Sequence, residues 1–101
     1  MLQLNEIAIE TGNTVRFTVK FTDFDGQPVD PDVSLFKVFN RRREELSSNP
    51  MVKAENQIGV YFYYYTPEED GEYTVEMYGL VDNKPAVLRK KVKVGFDVTT
   101  V

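Results

Sequence analysis

A chain of 101 residues, 42% hydrophobic and 13% aromatic, is sized for one domain around one core and is too aromatic for a disordered segment. Its net charge of -4 lacks the basic excess of a nucleic-acid binder, and no apolar run is long enough to span a membrane as a helix. The absence of Cys and His removes disulfides, thiolate chemistry and the commonest zinc ligand, so neither an enzyme nor a resident cofactor is expected.

At the start of the chain, Leu2 and Leu4 share one parity while Ile7 and Ile9 share the other. A bulge near Asn5 and Glu6, or a first strand that switches between sheets, reconciles them. No basic stretch leads into an apolar one there, so the start does not read as a signal peptide. Residues 14–22 form the clearest strand: Val15, Phe17, Val19 and Phe21 alternate with Thr14, Arg16, Thr18 and Lys20, the period-2 signature of a half-buried strand. Glu10-Thr-Gly-Asn13 supplies the turn before it. Asp23-Phe-Asp-Gly-Gln-Pro28 after it ends the strand, since Gly tolerates positive φ and Pro cannot donate to a ladder. Residues 33–39 make a third strand with apolar side chains on both parities, which leaves its inward face open. The polar stretch 40–50 reads as a loop, or as a hairpin tip with one helical turn. Residues 51–54 read as a short strand, with Asn56 and Gln57 in a turn.

Two strands over residues 58–65 and 72–80 then flank an acidic corner of Glu68, Glu69 and Asp70. In the second, the alternation turns Tyr73, Val75 and Met77 inward and Thr74, Glu76 and Tyr78 outward. In the first, aromatic residues occupy both parities. With Val60, Phe62 and Tyr64 inward, Tyr61, Tyr63 and Tyr65 form an outward stripe. That stripe is the candidate partner-binding row, because Tyr combines apolar area with a hydroxyl handle. In the alternative reading one row packs the core and the other is covered by a loop or lies on the sheet face, where aromatic residues also raise strand propensity through cross-strand pairs. Asp82 and Asn83 tip the next turn. The last strand, 86–96, sets Leu88, Val92, Val94 and Phe96 on one face and Arg89, Lys91 and Lys93 on the other, with Lys90 interrupting the apolar face. The charged row suits an edge strand, where it discourages unwanted pairing. Residues 96–101 read as a loose tail.

Seven or eight short strands with regular turn signals, and no helical period, predict an all-β sandwich of antiparallel strands in two sheets. The order of the pieces resembles the bacterial and phage Ig-like domains over almost the whole chain. Gly12-Asn-Thr-Val-Arg-Phe-Thr-Val19 is similar to their second strand and Asp23-Phe-Asp-Gly-Gln-Pro-Val29 to the turn after it. Gly59-Val-Tyr-Phe-Tyr-Tyr-Tyr-Thr-Pro67 and Gly71-Glu-Tyr-Thr-Val75 are similar to the fifth and sixth strands. Glu69, Gly71 and Tyr73 resemble a tyrosine corner, with Glu69 where Asp is usual. Val75 stands where antibody domains carry their second Cys, and Phe36 or Val38 in the region of their core Trp, which sets the antibody subclass aside.

The resemblance implies a single Ig-like domain over residues 1–101. It also implies a non-enzymatic role by protein–protein contact, as an accessory subunit of a phage or prophage head or tail. Partners would be virion proteins or further copies of the chain in a homo-oligomer. Such a product is made in the cytoplasm of a bacterial host and ends in the virion. The alternative is a carbohydrate- or surface-binding module, Ca²⁺-assisted, from a larger secreted bacterial protein; it is then extracellular, and the missing Trp weighs against sugar stacking. Asp23, Asp25, Asp30 and Asp32 are the candidate Ca²⁺ ligands, as hard cations favour several carboxylates in one loop. Pro28 and Val29 break the calcium-loop spacing, and a turn in which Asp side chains accept backbone N–H groups explains the residues as well. Arg41, Arg42 and Arg43 are the densest positive charge, but Glu44 and Glu45 follow directly and offset the field. Glu68, Glu69 and Asp70 have no nucleophile or base partner to make them catalytic.

Overall fold

A computed structural model of the protein describes residues 6–98. The described residues hold eight strands and no helix: β1 (Glu6–Glu10), β2 (Val15–Lys20), β3 (Val33–Phe39), β4 (Glu45–Pro50), β5 (Val52–Lys53), β6 (Val60–Tyr65), β7 (Gly71–Val81) and β8 (Lys84–Gly95). They form a larger sheet of five strands, in the order β1-β8-β7-β3-β4, and a smaller sheet of three, β2-β6-β5. Side chains from both sheets meet in one apolar core, so the architecture is a β-sandwich. Leu2, Leu4 and residues 99–101 lie outside the described residues, and with them the expected bulge near Asn5 and half of the expected tail.

The core is built around Phe36, which is 1% exposed. Tyr63 stacks on its ring at 4.6 Å between centroids and 17° between planes, and Phe17 lies at 5.3 Å. Ile9, Val38, Val75, Met77, Val92 and Val94 close the cluster from the larger sheet, and Val19 and Phe21 from the smaller one. The β2 alternation read from the sequence holds, with Phe17 and Val19 buried and Arg16, Thr18 and Lys20 exposed. So does the inward set of β7, where Val75 and Met77 are buried and Tyr73 packs against the core.

Two glycines fit the smaller sheet to the larger one around Phe21. A Cβ on Gly79 would stand 2.3 Å from the Phe21 ring, so the aromatic face lies where a side chain would be. Gly59 adopts φ of +82°, and a Cβ there would meet the Phe21 carbonyl oxygen at 2.5 Å. At the opposite corner, the Tyr73 hydroxyl donates to the Glu69 carbonyl at 3.0 Å, the back-bond expected of a tyrosine corner. The β7–β8 hairpin turns on Asp82 and Asn83, both at positive φ, between the paired Val81 and Lys84. This is the two-residue geometry that matches strand twist.

Four expectations need correction. First, the strands are not all antiparallel: β1 runs parallel to β8, in register from Glu6 with Lys91 to Glu10 with Gly95. The two strands lie at opposite ends of the described chain, so no short hairpin forces them antiparallel. Second, residues 40–50 contain no helical turn. Residues 40–44 are a hairpin tip, and Glu45–Pro50 is a strand whose six residues are all exposed. A strand at the edge of a sheet with neither face buried shows no apolar alternation, and Pro50 is tolerated at such an edge. Third, β8 is flanked by β1 as well as β7 over residues 91–95, so edge protection does not explain Lys91 and Lys93, and only Arg89 of the charged row lies beyond the described β1 pairing. Fourth, Leu88 is 42% and Phe96 87% exposed, although both share parity with the buried Val92 and Val94. Three strands cannot cover five: the smaller sheet leaves part of the larger one uncovered, and Phe96 falls beyond the end of β8.

Candidate partner-binding surface

Register decides which aromatic row of β6 is available. Residues directly opposite one another in an antiparallel pair share a face. Phe17 stands opposite Tyr63 and Val19 opposite Tyr61, so the inward row of β2 carries Tyr61, Tyr63 and Tyr65 inward with it. The expected outward stripe is therefore reversed: all three tyrosines pack against the core. Tyr61 meets Phe21 edge-on at 5.8 Å, and Tyr65 lies 6.3 Å from Phe17 and 5.6 Å from Phe36.

The hydroxyls of this row respond to their surroundings. Burial, then the neighbouring Tyr73, pushes the Tyr65 phenol up to about 12. Burial, then the Asp30 carboxylate, raises Tyr61, while the Lys53 ammonium opposes it. Tyr73 is raised by burial and by the Glu69 and Asp70 carboxylates beside it. No buried side-chain nitrogen or oxygen among the described residues lacks a hydrogen-bond partner.

The row that faces solvent is Val60, Phe62 and Tyr64. Tyr64 is 57% exposed and meets Phe62 edge-on at 5.5 Å. The Arg16 guanidinium lies 4.0 Å over the Phe62 ring and 5.9 Å from that of Tyr64. Val52, opposite Phe62 in the ladder and itself exposed, extends the apolar surface toward β5. Arg16, Thr18 and Lys20 from β2 complete this outer face, which carries two cations and no carboxylate along β2 and β6. Phe62, Tyr64 and Arg16 are thus the residues that reading the strand by itself misses. The signal lay in β2: its clean alternation fixes which face is outward, and whatever pairs with Arg16 and Thr18 must share it.

The four candidate Ca²⁺ ligands are occupied separately. Asp23 accepts the backbone N–H groups of Asp25 and Gln27, both at 2.9 Å, which is the turn reading of this loop. Asp30 accepts from the Lys53 ammonium at 2.5 Å and the Gly59 N–H at 2.8 Å. The Lys53 bond and then the Gly59 N–H hold the Asp30 carboxyl below its ordinary value, and the same bond raises Lys53. Asp25 and Asp32 do not join them: among the described residues, no group of three or more His, Cys, Asp or Glu is placed to hold a metal ion. In the acidic corner, Asp70 accepts from the Thr11 hydroxyl, and the Glu69 backbone takes the Tyr73 bond.

No family model and no curated protein matches the chain. No helix among the described residues is long and apolar enough to cross a membrane.

Proposed function

We propose that the protein is a non-enzymatic Ig-like module that acts by protein–protein contact, as an accessory subunit of a phage or prophage virion. The observation that carries the contact is the outer face of the smaller sheet, where Phe62 and Tyr64 pack edge-on under Arg16. Aromatic residues and Arg are enriched at interface centres, because they offer large area with few rotatable bonds and a polar tip. The Ig-like type draws support from the strand order of the two sheets and the back-bond of Tyr73 to Glu69. The virion role draws on the family resemblance of the second, fifth and sixth strand segments, and fold alone does not carry function. A non-enzymatic role is supported by a sequence without His or Cys and by the engagement of Asp70 with Thr11. On this reading the chain is made in a bacterial cytoplasm and joins the particle there.

Sedimentation velocity over a concentration series tests the contact, with Phe62→Ser/Tyr64→Ser as the comparison. The wild type should associate and the double variant remain monomeric with an unchanged melting temperature. Equal behaviour of the two proteins, with neither captured differently by purified particles, rejects this face as the interface. Capsid, portal or tail genes beside the coding sequence would support the virion role; genes for secretion or polysaccharide synthesis would oppose it.

A further inference from the structure

The outer face of the larger sheet carries a groove of about 910 Å³ that the aromatic surface does not use. Its floor is β7, with Glu72, Thr74 and Glu76. One wall is β8, and the other is the 40–44 hairpin tip beyond Phe39. Although the chain as a whole is acidic, five Lys or Arg and three Glu line this groove, so the local charge is reversed.

Of the three glutamates, the two on the floor are engaged, and the third, Glu6 of β1, stands in register with Lys91 on the β8 side. Glu76, 5% exposed, accepts from the Arg89 guanidinium at 2.8 Å, and Glu72 pairs with Arg41 at 3.7 Å. The tip separates its own charges in the same way. Asn40 accepts the backbone N–H groups of Arg42 and Glu44, and its amide donates to the Glu44 carboxylate at 2.7 Å. Glu45 turns to Lys37 at 3.6 Å. The two acids that follow the arginines in sequence are therefore held by other partners, while Arg41 and Arg43 line the groove. Arg43 on one wall and Lys91 on the other have no ion-pair partner among the described residues.

We propose that this groove binds an acidic peptide segment of a partner protein, with carboxylates bridging Arg43 and Lys91 and an apolar side chain against Phe39. The two cations stand on opposite walls, so one small anion is a poorer match than a segment with several carboxylates. The volume is at the upper end of the roughly 300–1,000 Å³ typical of ligand clefts. Guanidinium groups donate two parallel hydrogen bonds to a carboxylate, and a concave surface with an excess of one sign raises the local concentration of the opposite charge. The site lies on the opposite sheet from Phe62 and Tyr64 and does not depend on that surface.

Fluorescence anisotropy with a labelled glutamate-rich hexapeptide tests the site, using an uncharged Gly/Ser hexapeptide and inorganic phosphate as the other arms. The acidic peptide should bind, and binding should weaken as salt is raised. Arg43→Asn/Lys91→Gln should weaken it about tenfold, the scale expected when two partly exposed charge pairs are removed together. Asn suits the positive φ of 65° at position 43, so this variant removes charge without disturbing the tip. An unchanged melting temperature confirms that it folds, and Phe62→Ser/Tyr64→Ser should bind the peptide as the wild type does. Absence of peptide binding, or binding indifferent to the Arg43/Lys91 variant, overturns the proposal. Phosphate displacing the peptide at equal concentration also overturns it, by showing a small-anion site.

Discussion

Tyr63 and Tyr64 are neighbours of one residue type on one strand, yet Tyr63 lies flat on the Phe36 ring at 4.6 Å while Tyr64 is 57% exposed. The inner row of β6 is tied to the larger sheet through Phe36, to β2 through Phe17, and to Phe21 just beyond that strand. The outer row touches mainly itself and Arg16. An aromatic-rich strand is therefore two objects back to back, one structural and one available for contact. A slip of one residue in the β2–β6 ladder would exchange them.

The sharpest way to break this division is to truncate one ring on each side. Phe36→Ala should lose about 3–5 kcal/mol of stability in urea denaturation, the range for deleting a fully buried aromatic ring. Phe62→Ala should lose well under half of that, since its ring is covered on one side only. Equal losses would show that the outer face is part of the core and not a free surface.

A second separation is by pH. The Tyr65 phenol is raised from 10.0 to about 12, so the folded state holds its proton more tightly than the unfolded chain. Its contribution to stability is complete below pH 10 and is lost as pH rises toward about 12. Thermal melts from pH 9 to 12 should show a falling melting temperature, with a shallower slope in Tyr65→Phe; an identical slope contradicts the inward placement of this row. The smallest effect belongs to Tyr64→Ser, which should change stability by about 0.5 kcal/mol or less. It should still weaken association measured by sedimentation.

What could be read from the sequence follows the same division. β2, with one wet and one buried face, announces itself through alternation, and so does the inward set of β7, although its outward Glu76 is covered as well. The turn at Asp82 and Asn83 was legible for its residue types. β4 was not, because it buries no side chain on either face and its pairing with β3 is carried by backbone groups. β6 showed aromatic residues on both parities, and only its register against β2 tells them apart. The groove was hidden for a related reason. Arg41 to Glu45 nearly neutralise one another along the chain, and only the Asn40 bond to Glu44 and the Lys37 pair with Glu45 give the acids partners other than the arginines. Pairing partners distant in sequence carry this information, and one-dimensional pattern does not contain it.

The parallel ladder between β1 and β8 has a mechanical consequence. Tension applied at Glu6 and at Gly95 pulls these neighbouring strands past each other along their length, since they run the same way. The bonds that join them are then loaded together in shear rather than opened one at a time from an end, as they are in a hairpin pulled at its open ends. A domain strung in series between two anchored neighbours would yield only when the whole β1–β8 seam slides, so its resistance to stretching is set by this one pair of strands.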